Sequence, residues 1–113
     1  MSKQAREHAL EEALYTLYLR WWHDLGYRAE RFRQMIVPGC NRYVGGIRAV
    51  QHVLTKKTGG FDRLRGHPEL TVEYLVAAGE WNDLISEPFR SKAGIRLQRL
   101  KEAKEGGYSS KSR

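Results

Sequence analysis

The residues best suited to chemistry lie in the segment TKKTGGFDRLRGHPEL at positions 55–70. Lysines, threonines and free glycine amides are groups that contact phosphate oxygens. A nucleotide-binding loop would also need a strand before it and a Lys-Ser/Thr pair after its second glycine. Here Lys56 and Lys57 precede the two glycines, and a helical pattern precedes the lysines, so the segment is not a nucleotide-binding loop. Its residue types instead predict contact with nucleic-acid phosphates. The alternative is a solvated turn whose glycines supply backbone freedom.

A second basic cluster lies in the last helical pattern, which carries cations on one side and apolar residues on the other. Such a helix is an electrostatic footprint for phosphates, which it would bind with release of counterions. The alternative is a solvated helix whose cations complement the macrodipole. If folding merges the two clusters, they form one surface that binds nucleic acid or a nucleoprotein complex. The predicted contacts are Lys56, Lys57, Arg63, Arg65, Arg96, Arg99, Lys101 and Lys104.

Candidate catalytic and metal-binding residues are few. His8 and Glu12 have an i, i+4 spacing that can hold a metal, but no second ligand pair follows them. Cys40 lies near Arg42 with His52 downstream, and a lone cysteine is more typical of a small packed residue. One cysteine also excludes an internal disulfide and multi-cysteine metal sites. We therefore predict a binding protein that is not an enzyme and has no metal or cofactor.

Aromatic residues cluster in the first helical pattern. Tyr18 and Trp21 share the spacing of its core face, whereas Tyr15 and Trp22 lie on a second stripe. Exposed aromatics are typical of interface hot spots and of surfaces that stack bases. Tyr15 and Trp22 are therefore candidate partner-binding residues. The alternative function is an adaptor or inhibitor, of phage or mobile-element type, that docks on a host complex through this stripe and the acidic segment 67–89.

The distribution of charge divides the chain more clearly than its net charge of +7. Residues 27–66 carry nine bases and two acids, residues 67–89 five acids and no Lys or Arg, and residues 90–113 eight bases and two acids. This pattern predicts distinct faces. The N-terminal segment is charged where a signal peptide would be apolar, and no stretch is long and apolar enough to span a bilayer. We therefore expect a cytoplasmic protein without membrane contact.

Helical periodicity and capping residues predict an all-α fold, a single small bundle of about five helices. We expect one domain over residues 1–105 and a flexible basic tail over 106–113. A helix-turn-helix is not favoured, because about sixteen residues separate the third and fourth helices, rather than three or four. The predicted helices run from Ser2 to Gly26, from about 27 to 36, from 47 to 54, from Thr71 to Gly79 and from Ser86 to about 104.

Scattered glycine and apolar positions over residues 45–108 resemble those of small helical bacterial proteins whose families have no assigned activity. The resemblance covers a little over half of the chain and implies a small helical domain without a catalytic motif. It is carried by GG at 45–46, Ala49, Leu54, GF at 60–61, Leu64, LTVEYLV at 70–76, Trp81, Leu84, Ala93, RL at 99–100 and Tyr108.

Overall fold

Five α-helices form most of the chain in the computed structural model, which describes residues 2–56, 64 and 66–111. A single 3-10 turn at Pro68–Leu70 precedes the fourth helix, and the described ranges contain no strand. The predicted all-α bundle of about five helices is confirmed. The helices are α1 (Lys3–Leu25), α2 (Glu30–Ile36), α3 (Gly46–Thr55), α4 (Val72–Ala77) and α5 (Glu87–Lys111).

The first helix, α1, begins and ends at the positions that its capping residues predict. The Ser2 hydroxyl accepts a hydrogen bond from the Ala5 amide at 3.1 Å, which satisfies one of the free donors of the first turn. Gly26 adopts a left-handed conformation with φ of 65° after the last helical residue. Both predictions from the sequence are therefore confirmed.

The hydrophobic core forms around α1, whose buried residues recur at i, i+3 and i+4. Tyr18 and Trp21 belong to it, as predicted. The indole N–H of Trp21 donates to the Leu70 carbonyl and so ties α1 to the turn before α4. The last two helices, α4 and α5, pack along each other. The other elements contribute Phe32, Ile36, Ala49, Val50, Leu54, Leu64, Val72, Val76, Trp81, Ile85, Ala93, Leu97 and Leu100 to the buried set.

Two helix boundaries differ from the predicted ones. α2 begins at Glu30, later than expected, because the amides of Gly26 and Tyr27 return to carbonyls in the last turn of α1. Those bonds close α1 and keep the chain out of helical geometry until residue 30. α5 continues to Lys111, beyond the expected end near 104. The flexibility assigned to residues 106–113 stays a prediction.

Candidate functional site

One guanidinium connects three helices at the C-terminal end of α3. Arg96 in α5 donates from Nε to Glu73 Oε2 in α4 at 2.8 Å, and from Nη1 to the Leu54 carbonyl of α3 at 3.2 Å. The Arg96 side chain is 16% exposed and that of Glu73 is 4% exposed. Carbonyls in the last turn of a helix lack internal partners, so Arg96 satisfies one of them. The contact fixes the end of α3 against α5.

Three exposed cations lie close along the chain to the residues of this contact. Lys56 follows Leu54 by two residues and begins the basic segment 55–70. Lys92 and Arg99 lie one turn before and one turn after Arg96, on the same side of α5, and both are exposed. No salt bridge joins Lys56, Lys92 or Arg99 to another described side chain. We call the surface formed by Lys56, Lys92 and Arg99 the basic junction.

The structure separates the predicted phosphate contacts into groups. Lys56 and Arg99 are exposed residues of the basic junction, whereas Arg96 is largely buried and is paired with Glu73. Lys101 is exposed but lies about 160° around α5 from Arg99, since 3.6 residues make one turn. It therefore belongs to another side of the helix. Outside the described part of the molecule lie Lys57, Arg63 and Arg65, together with the side chain of Lys104.

The opposite end of α3 is held by a buried carboxylate that sequence reasoning missed. Glu11 of α1 is 6% exposed, and its Oε2 accepts from the Gly46 amide at 3.0 Å and from the Tyr43 hydroxyl at 2.7 Å. The bond to Glu11 raises the pKa of Tyr43 to about 12, because the hydroxyl must stay protonated to donate. The carboxylate thus caps the positive end of the helix dipole.

Glu7, one turn earlier on α1, completes this cap. Its Oε2 accepts from the Ile47 amide at 3.2 Å. Gly45 has φ of 94°, a backbone conformation that favours glycine, and a Cβ on it would lie 2.9 Å from Glu7 Oε2 and would displace that carboxylate. The available signal in the sequence is two glutamates at i, i+4 beside the core face of α1, together with a double glycine before α3. It does not specify that these two features meet.

Two acids of the segment 67–89 form ion pairs with arginines from other elements. Arg6 of α1 binds Asp83 through two nitrogens, at 2.9 and 3.0 Å, and donates to the Glu80 carbonyl at 2.8 Å. This pairing lowers the pKa of Asp83. Arg6 also lies 4.6 Å from the centroid of the buried Trp81 ring. Glu73, paired with Arg96, is buried, whereas the other four acids of the segment are exposed, and its docking role stays a prediction.

The second aromatic stripe of α1 is accessible, as its spacing predicts. Tyr15 is 39% and Trp22 40% exposed, whereas Tyr18 between them is buried. The Arg28 guanidinium lies 4.6 Å from the centroid of the Trp22 ring and covers part of one face. Stacking of an unpaired base on Trp22 would have to displace this cation. The partner-binding role of Tyr15 and Trp22 stays a prediction.

An open groove of about 800 Å³ lies between α1 and the end of α2. Tyr15 forms part of its lining, but Trp22 does not. His8 and Glu12, the i, i+4 pair noted in the sequence, also line it. The groove is thus a concave surface that α1 and α2 share, and the half-exposed tyrosine gives it an aromatic wall.

Metal and membrane features are absent from the residues that the structure describes. No three His, Cys, Asp or Glu side chains there come together in a way that could hold a metal ion. None of the helices there has the length and apolar character needed to cross a membrane. Comparison with protein-family models, curated proteins and solved structures finds no match for this chain. Its function is therefore proposed from the contacts of its own residues.

Proposed function

We propose that this chain is a non-enzymatic binding protein that contacts the phosphates of a nucleic acid, free or in a nucleoprotein complex, through the basic junction. The observation that carries the proposal is the 3.2 Å hydrogen bond from Arg96 Nη1 to the Leu54 carbonyl. It brings the end of α3, just before Lys56, close to Arg96 on α5. This proximity supports the proposal that the two basic blocks, far apart in the sequence, form one surface.

Exposed cations supply the binding free energy in this proposal. Lys56, Lys92 and Arg99 have no carboxylate partner among the described side chains, so their charge is available to a polyanion. Each phosphate that such a residue neutralises releases condensed counterions. Arg96 is a positioning residue here, because its donors are already used by Glu73 and Leu54.

Phosphate contacts of this kind carry no base information. The proposal therefore includes weak sequence preference and strong dependence on salt.

The test is the salt dependence of binding to a fluorescent duplex and a fluorescent single strand, followed by anisotropy. We expect the association constant to fall steeply between low and physiological salt, with a slope near −0.9 for each phosphate contacted on a duplex. Replacing both Lys56 and Arg99 with Gln should reduce that slope by about two.

The matched control removes the same charge elsewhere. Arg31 and Arg42 are exposed residues of α2 and of the turn before α3. The Arg31→Gln, Arg42→Gln double variant should keep the wild-type slope. Equal losses in both double variants would show that net charge alone drives binding. Failure to detect any complex at low ionic strength would overturn the proposal.

A further inference from the structure

The groove between α1 and α2 has the dimensions and lining of a helix-binding site. Its α1 wall runs from Ala5 to Thr16, about 16 Å or three helical turns. Ala5 and Ala9 are small, so a partner backbone can approach α1 closely, and the half-buried Val37 provides an apolar contact on the facing side. Tyr15 adds an amphipathic ring at the edge, a residue type enriched where binding energy is concentrated.

The charge of this groove is opposite to that of the protein as a whole. Glu11 and Glu12 both line it, whereas its one guanidinium, Arg33, is bound to Glu30. The lining thus has two carboxylates and one guanidinium that is already paired, in a chain whose net charge is +7. A negative concave surface on a basic protein attracts cations and repels polyanions.

The two lining carboxylates differ in availability. Glu11 is 6% exposed and already accepts hydrogen bonds from Gly46 and Tyr43. Glu12 is exposed, and no described side chain forms a salt bridge with it. Glu12 is thus the group that can pair with a cation arriving from outside, while Glu11 adds fixed negative charge at the floor.

We propose that the groove binds a cationic amphipathic helix of a partner protein. The apolar face of that helix packs on Ala5, Ala9 and Val37, beside the Tyr15 ring, and one of its Lys or Arg side chains pairs with Glu12. Laying an amphipathic helix in an apolar groove is a recurrent mode of peptide recognition. The groove lies on α1 and α2, whereas the basic junction lies on α3 and α5, so this proposal is independent of nucleic-acid binding.

Two synthetic helical peptides of about fourteen residues, near four turns, test the proposal. Both carry the same leucine stripe, and their polar positions are all lysine in one and all glutamate in the other. Isothermal titration should show the lysine peptide binding with a Kd at least about tenfold lower than that of the glutamate peptide. Binding of neither peptide, or equal binding of both, would overturn the proposal.

A charge exchange locates the contact. Glu12→Lys should shift the preference toward the glutamate peptide. Glu102→Lys makes the same charge change on the exposed side of α5 and should leave the preference for the lysine peptide unchanged. Circular dichroism checks that both variants fold. A lysine preference that survives Glu12→Lys would contradict the assignment.

Sedimentation equilibrium of the chain alone tests whether a second copy of this chain occupies the groove. A monomer supports a groove open to a partner protein. A dimer that Glu12→Lys dissociates, and that Glu102→Lys does not, would instead assign the groove to a second copy and overturn the proposal.

Discussion

The two ends of α3 are held by side chains from other helices, but with opposite charge and in different surroundings. At the N-terminal end, Glu11 of α1 accepts from the Gly46 amide at 3.0 Å. At the C-terminal end, Arg96 of α5 donates to the Leu54 carbonyl at 3.2 Å. Both arrangements follow the helix dipole, which favours negative charge at the start of a helix and positive charge at its end.

The difference lies in what surrounds each contact. The N-terminal cap is enclosed, because Gly45 and Gly46 are buried against α1. The C-terminal contact has exposed cations next to its residues in the chain, because Lys56 follows Leu54 by two residues and Arg99 lies one turn after Arg96. The same type of interaction therefore closes a packed interface at one end and presents charge to solvent at the other. Substitutions at the N-terminal end should change stability alone, whereas those around the C-terminal end should separate stability from binding.

The largest effect on stability is expected from Arg96→Met. The substitution leaves Glu73 buried without a partner, and breaking a buried ion pair in this way costs about 3–5 kcal/mol in the free energy of unfolding. It also removes the donor to Leu54. Urea denaturation followed by circular dichroism measures the change.

A double variant separates the effect of the Glu73–Arg96 ion pair from that of the hydrogen bond to Leu54. Adding Glu73→Gln to Arg96→Met removes the uncompensated charge, so part of the lost stability should return. If Arg96→Met alone costs less than about 1 kcal/mol, the typical upper value for an exposed ion pair, the contact at the C-terminal end of α3 does not stabilise the fold as a buried ion pair would.

The second largest effect should come from Gly45→Ala at the N-terminal end. With φ of 94° and ψ of 164°, Gly45 occupies a region that is almost exclusive to glycine, and forcing alanine into it costs about 1–3 kcal/mol. The new Cβ would also displace the Glu7 carboxylate from the Ile47 amide. Thermal and urea unfolding should both show the loss.

Gly94→Ala is the matched control, because Gly94 lies on the exposed side of α5 and nothing lies within 4 Å of its added Cβ. Alanine is favoured over glycine in a helix, so this variant should gain about 0.5–1 kcal/mol. Stability changes of opposite sign for the two glycines would confirm that backbone conformation decides the sign. Two stabilising substitutions would contradict the tight N-terminal cap.

The fold was largely predictable because its signals are local. Ser2 and Gly26 mark the ends of α1 by capping chemistry, and the spacing of Tyr18 and Trp21 marks its buried face. The exposure of Tyr15 follows from the same periodicity. These features depend on residues within a few turns of each other, so one sequence suffices to read them.

The polar contacts of the site were not predictable in the same way. Glu11 and Gly46 are 35 positions apart, and Arg96 and Leu54 are 42 apart. Helical periodicity assigns each residue to a face but does not state which helix lies opposite. Arg96 therefore resembles any other cation of α5 until its burial is known. The position of Lys101, by contrast, follows from helix geometry alone.

A smaller effect concerns the protonation of Tyr43 at the N-terminal cap. Its pKa is raised to about 12 by the bond to Glu11, so the folded state holds the proton more tightly than the unfolded chain. The stability from this bond is complete below pH 10 and is lost as pH rises through about 12. Glu11→Gln should move the Tyr43 pKa down toward its ordinary value of 10.

Tyrosinate absorbance measures this change when the titration of a Tyr43→Phe variant is subtracted. The other tyrosines are common to both proteins and cancel in the difference. A Tyr43 pKa that Glu11→Gln leaves unchanged would show that the hydroxyl is not held by this carboxylate in solution.

The smallest effect on stability, and the sharpest test of the C-terminal end, comes from two neighbouring cations of α5. Arg99 and Lys101 are both exposed, so replacing either with Gln should change the free energy of unfolding by less than about 0.5 kcal/mol. They lie on different sides of the helix, and only Arg99 belongs to the basic junction. Arg99→Gln should therefore reduce the salt slope of nucleic-acid binding by about one, whereas Lys101→Gln should leave it unchanged. Equal slopes for the two variants would mean that α5 binds phosphates around its whole circumference, and the contact between Arg96 and Leu54 would then have no bearing on where the polyanion lies.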